Sequence, residues 1–188
     1  LSIRPGDIDL FAVRLGPGSF SGLRISLAAV HGLALPDRRP VRGISSGAAI
    51  AWDAIEAFDT RTVTVVGDAR RGRFWTASFE AGIRRPRVTQ DYRLVQAGEL
   101  AQVVARAAVV VTPEWDRIGE TLPAPAGSAA RVVDESRIAR AATVAALAIA
   151  QQEAGEPLPD KPLTPVYLHP AVFVPPRFPK ESAADDMR

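Results

Sequence analysis

One helix constrains this chain more than any other feature. Gly16-Pro17-Gly18-Ser19 breaks a short apolar run, Ile8 to Leu15, and Ser19 is placed to cap the segment after it. From there to about Leu35 the pattern is helical and nearly apolar around the whole circumference. Leu23, Leu27, Val30 and Ala34 make one stripe at helical spacing. Ile25, Ala28 and Gly32 make a second, and Gly22, Ser26 and Ala29 supply a third face of small residues. A helix of this kind must be covered on more than one side. It is either buried wholly inside its own domain, or it lays one face on its own sheet and another on a partner subunit. Small residues suit the second arrangement, because they let a neighbouring helix come close.

The rest of the chain reads as mixed α/β. Strands are expected at Ile8–Leu15, Val41–Ile44, Thr62–Gly67, Arg73–Glu80, Arg87–Leu94, Ala108–Thr112 and Val132–Val133. Helices are expected after Ser45 or Ser46 to about Phe58, over Glu99–Arg106, and from a Ser136 cap to about Glu153. Asp68 to Gly72 reads as a tight polar turn between two strands of a hairpin, and Leu122–Ser128 as a loop. Beyond Gly155 prolines crowd in, so that segment lies extended and cannot be a helix. Parallel pairs joined by helices account for the first half and antiparallel pairing for the middle. Three segments result: 1–58 with the glycine loop and its helix, 59–155 as a second lobe, and 156–188 as a proline-rich, partly disordered tail.

Composition excludes several classes. There is no cysteine, which removes a disulfide framework, a thiolate metal site and a cysteine nucleophile. The 23 basic and 21 acidic residues leave a formal charge of +2, which is not the footprint of an autonomous nucleic-acid binder. No stretch approaches the roughly 20 apolar residues of a membrane span and no leader is visible, so the cytoplasm is the expected compartment.

Gly16, Gly18 and Ser19 belong to a loop between strand and helix. The dinucleotide pattern fails, because Ser21 stands where its third glycine should be, and no Gly-Lys-Ser/Thr comes after it for a phosphate loop. The loop therefore reads as a structural turn, with a phosphate contact at the helix start as the alternative. Asp68, Arg70 and Arg71 form the most polar cluster. They are either a solvated hairpin turn or a contact for a partner or a phosphate, since arginine suits bidentate contacts. A Ser-His-Asp set from Ser19, His169 and Asp68 has no support from the pattern.

The glycine-loop segment Gly16-Pro17-Gly18-Ser19-Phe20-Ser21-Gly22-Leu23-Arg24-Ile25 resembles the G-P-G-S-F-T-G-L-R-I of the TsaB (YeaZ) family. Three further motifs occur in order: Gly43-Ile44-Ser45-Ser46 is similar to G-V-S-S, Asp68-Ala69-Arg70-Arg71-Gly72 to D-A-R-R-G, and Pro165-Val166-Tyr167-Leu168 to P-x-Y-L. His31 and His169 depart from the family's lysine and arginine.

The resemblance implies actin/Hsp70/sugar-kinase-like (ribonuclease H-like) lobes. It also implies a non-catalytic scaffold that pairs with TsaD, is joined by the ATPase TsaE, and meets tRNA only through the complex. That complex transfers a threonylcarbamoyl group to the adenosine beside the anticodon. The TsaD contact uses the helix after the glycine loop, which implicates Gly22, Ile25, Ser26, Ala28, Ala29 and Gly32. Without TsaD a homodimer through the same helix is expected. Family members begin with a strand and hairpin ahead of the region that matches here, so the N-terminal lobe is expected to be truncated. No cofactor is expected, and a nucleotide at the complex interface is doubtful. In TsaD-like enzymes two histidines of H-x-E-G-H bind a metal; Ser46 and Ile50 stand at those positions here, so no metal site is implied. The alternatives are a kinase-like or protease-like enzyme of the same superfamily, and a tRNA-binding module.

Overall fold

A computed structural model describes residues 3–124 and 129–168. Two sheets organise them. Strands β1 (Phe11–Gly16) and β2 (Val41–Ser45) pair in parallel as a two-stranded sheet. The second sheet has five strands in the order β5-β4-β3-β6-β7, where β3 is Thr62–Arg70, β4 Arg73–Glu80, β5 Arg87–Gln96, β6 Val109–Thr112 and β7 Arg131–Ser136. The meander β3-β4-β5 is antiparallel, β6 is parallel to β3, and β7 is parallel to β6. Strand β3 is central and reads as a continuous apolar run because both its faces are covered.

The helices are α1 (Phe20–Ala34), α2 (Ser46–Phe58), α3 (Leu100–Ala105), α4 (Trp115–Ile118) and α5 (Ala141–Glu153). Helix α1 packs on the β1–β2 sheet. Helix α2 meets both sheets: Ile50, Ala51, Ala54 and Ile55 join Val63, Val65 and Phe79 of the larger one, while Ala49 joins Ile44 of β2 and Leu147 of α5. Helix α5 comes after the larger sheet in sequence yet packs against β1 and β2. A division at residue 58 therefore separates the sheets but cuts across the packing. Helices α3 and α4 cover the opposite face of the larger sheet through Val103, Val104 and Ile118.

The seam between the sheets is polar as well as packed. The Ser45 hydroxyl caps α2 by accepting the Ala48 N–H at 3.1 Å. It also shares a 2.5 Å hydrogen bond with the phenol of Tyr92 on β5, and that phenol accepts the Gly47 N–H at 3.0 Å. Gly47 is required here, since a Cβ would clash with the Tyr92 oxygen. Burial pushes the Tyr92 phenol pKa up, against the opposing pull of its bonds to Ser45 and Gly47.

Three expectations are corrected. Strand β3 runs through Arg70, so Asp68–Gly72 is not all turn; the turn itself is Arg71-Gly72. Ser136 does not cap α5: it ends β7 opposite Thr112, its hydroxyl accepts the Trp115 N–H, and α5 begins only after Arg140. Helix α4 has no counterpart among the expected elements, because four residues are too few for a periodic signal. The segment from Gly155 to Leu168 is non-helical, as its prolines require. The part of the expected tail from His169 onward, and residues 125–128 of the expected loop, lie outside the described residues.

Tyr92→Phe is expected to cost about 1–3 kcal/mol, because it strands the Gly47 N–H and removes a partner from Ser45. Urea unfolding followed by circular dichroism measures this.

Candidate functional site

The glycine loop is built to turn. Gly16 has φ 104°, which disfavours any side chain, and a Cβ there would lie 2.8 Å from Leu23. Ser19 then caps α1 by accepting the Gly22 N–H at 3.4 Å. Gly18 lies in the same turn, over the Leu23 side chain. The first apolar stripe faces inward: Leu23 and Ala34 are buried, and Leu27 and Val30 are half-buried.

The other two faces of α1 are bare. Gly22, Ser26, Ala28, Ala29 and Gly32 are exposed, and Ile25 keeps 68% of its surface in water. Phe20, Leu33 and Leu35 add further exposed apolar area. A Cβ on Gly32 would meet no heavy atom within 4 Å. Among the described residues nothing needs glycine there, although glycine in a helix interior costs about 0.5–1 kcal/mol relative to alanine. His31 is exposed on the same helix.

One contact is not legible in the sequence. The segment Pro165-Val166-Tyr167-Leu168 returns to the glycine loop, where the Val166 N–H donates to the Leu15 carbonyl at 2.8 Å. Arg24 donates through Nε to the Tyr167 hydroxyl at 2.9 Å and lies 4.0 Å over the Phe20 ring. The Phe20 and Tyr167 rings are 5.6 Å apart. Two motifs 143 residues apart are thereby joined at the start of α1. Neither has a local pattern that requires the other.

Asp68, Arg70 and Arg71 lie on the other sheet, at the β3–β4 hairpin. Asp68 Oδ1 accepts the Arg70 N–H at 2.6 Å, and Oδ2 takes Arg70 Nη1 at 3.1 Å and Arg117 Nη1 of α4 at 3.4 Å. Glu114 Oε2 accepts the Asp68 N–H at 2.7 Å. Burial, aided by the nearby Asp68 charge, pushes the Glu114 carboxyl above its ordinary range, while its bond to the Asp68 N–H and the Arg70 charge oppose the rise. Glu114 and Arg117 escape sequence reasoning, since only the β3–α4 packing brings them to Asp68. Ser46 and Ile50, at the positions where a metal-binding helix would carry histidines, are both buried in α2. Among the described residues no three His, Asp or Glu side chains gather, and no helix is long and apolar enough to cross a membrane.

The arrangement matches known proteins. The family model described as TsaD, tRNA N6-adenosine threonylcarbamoyltransferase, matches residues 1–102 of the 188. Among solved structures, YeaZ from Pseudomonas aeruginosa superposes with a TM-score of 0.69 at 22% identity, covering 88% of this chain and 77% of that one. The fold is therefore that of this YeaZ structure. The tRNA threonylcarbamoyladenosine biosynthesis protein TsaB of Escherichia coli (strain K12) is 29% identical over 119 residues, 60% of this chain and 48% of its own length. The protein of the same name from Buchnera aphidicola subsp. Schizaphis graminum is 31% identical over 73 residues, 39% of this chain and 35% of its own length. The chain thus spans half or less of the length of these relatives. It belongs to the TsaD-like family, on its TsaB (YeaZ) branch.

Glu114→Gln keeps an oxygen for the Asp68 N–H and removes a carboxylate that the fold disfavours. In the natural chain the folded state holds this proton more tightly than the unfolded one. Its contribution is therefore largest at acid pH and is lost as pH rises from about 4.5 through the raised folded value. The variant is expected to lose that part of the pH dependence, as urea midpoints at stepped pH would record.

Proposed function

We propose that this chain is a non-catalytic scaffold subunit that pairs through α1 with a TsaD-like catalytic subunit. With a TsaE-like ATPase, the assembly serves threonylcarbamoyl transfer to the adenosine beside the anticodon of tRNA, in the cytoplasm. The observation that carries the reading is the uncovered face of α1. Ile25, Ala28, Ala29 and Gly32 leave apolar surface in water without any packing reason among the described residues. An apolar face rimmed by small residues fits a second helix, whose backbone can approach closely. The names of the curated relatives supply the pathway.

In this scheme the subunit contributes shape rather than chemistry. Its own sheet fixes the inward stripe of α1, and so fixes the angle at which the outer face is offered. The Arg24–Tyr167 contact holds the first turn of that helix. When no TsaD-like subunit is present, the same face pairs with a second copy, since a two-fold dimer uses one patch twice.

Mixing the purified chain with a TsaD-like subunit and sizing the product tests the proposal. A stable complex at micromolar concentration is expected, and two separate peaks would overturn it. Ala29→Trp is expected to abolish the complex with little change in the melting temperature of the free chain, because the position is exposed. Gly32→Ala is expected to stabilise the free chain by about 0.5–1 kcal/mol.

A further inference from the structure

The β3–β4 hairpin carries arginine where its own stability argues for something else. Arg70 and Arg73 stand directly opposite each other across the antiparallel pair. Like charges in that position repel. Arg70, Arg71 and Gly72 have φ values of 67°, 57° and 69°. A two-residue turn with both central residues left-handed is the one that favours Asn-Gly, and a Cβ makes this conformation costly for arginine. Repulsion and strain gathered at one exposed spot point to a use for that spot.

The neighbouring electrostatics say what the use is. A single oxygen of Asp68 holds both Arg70 and Arg117, whose side chains remain 63% and 50% exposed, while Asp68 itself is only 15% exposed. A visitor therefore meets guanidinium edges, not the carboxylate. Among the described residues neither Arg71 nor Arg73 has a carboxylate within ion-pair distance. Of these four arginines, only Arg70 and Arg117 pair with Asp68, which is largely covered, and burial of the nearby Glu114 favours its neutral form.

We propose that this hairpin grips the phosphate backbone of an RNA strand through Arg70, Arg71, Arg73 and Arg117. The guanidinium fork suits phosphate oxygens bidentately. Among the described residues none of the large exposed apolar side chains lies on the hairpin or on α4, so the buried anchors on which a protein partner depends are missing. Among the described residues no aromatic ring there is fully exposed, Trp115 of α4 being half-buried, so the contact reads backbone and not sequence. The choice of RNA among polyanions rests on the tRNA-modification reading above; the grip on phosphates does not.

The test is fluorescence anisotropy of a labelled, unmodified tRNA transcript titrated with the full chain at low salt. Binding in the range of roughly 10⁻⁴–10⁻⁶ M is expected, weakening steeply with salt. In the double variant Arg71→Asn, Arg73→Thr, affinity is expected to fall about tenfold and the logarithmic salt slope by about 1.5–2. The same variant is expected to melt about 2–4 °C higher, because Asn suits the left-handed turn and the cross-strand repulsion is gone. Weaker RNA binding together with a more stable fold is a pairing that a purely structural role does not produce. Absent binding by the natural chain, or an unchanged affinity in the variant, would overturn the proposal. So would arginine-dependent binding of poly-glutamate that equals or exceeds that of tRNA, which would assign the surface to an acidic protein. The readout does not need the TsaD-like subunit, so a failed pairing and a failed grip are distinguishable.

Discussion

A sheet of two strands cannot cover a helix that is apolar on three sides, and the arrangement around α1 stems from that limit. Strands lie about 5 Å apart, so β1 and β2 present a strip no wider than one helix. They accept the stripe of Leu23, Leu27, Val30 and Ala34 and nothing more. The reverse face of the same strip is taken by α5 and part of α2, which fixes the strip against the larger sheet. What remains is a rigid helix with its outer face in water. The orientation of that face is set by the core and not by the face itself.

That separation of roles has energetic consequences. Residues that hold the scaffold together are branched and buried: Val63, Val65, Val110, Val111 and Ile50 are almost wholly out of water. Residues on the open side of α1, the small ones and Ile25 alike, lie in water, and their replacement leaves the interior untouched. Stability and association can therefore be altered independently. The tail contact adds a second fixing point, since Phe20, Arg24 and Tyr167 pin the first turn of α1.

The hairpin at Arg71-Gly72 obeys a different rule. There the backbone is left-handed at three successive residues and two arginines face each other across the strands. The local cost is borne by a long, well-packed β3, which is central in its sheet and sandwiched between two hydrophobic clusters. A strand so held tolerates an unfavourable tip. The molecule thus offers two unlike surfaces on two sheets, one apolar with small residues and one cationic.

Much of this is legible in the chain itself. The periodicity of α1, the Ser19 and Ser45 caps, the β-branched run of β3 and the hairpin order are local signals, carried by residues within a few positions of one another. The exceptions share a cause. Ser136 has the chemistry of a helix cap, but pairing with Thr112 claims it for a strand. Asp68 has the chemistry of a turn residue, yet its carboxylate is shared between Arg70 and an arginine from α4 that lies 49 positions away. Tyr167 belongs to a motif whose local pattern shows no purpose; its use emerges only against Arg24. The sequence determined which segments are helix or strand and which faces are apolar, because those depend on short-range spacing and burial pattern. Only the tertiary structure decided which apolar face stays open and which charges share a partner. Those depend on which strand lies next to which, and no local pattern encodes that.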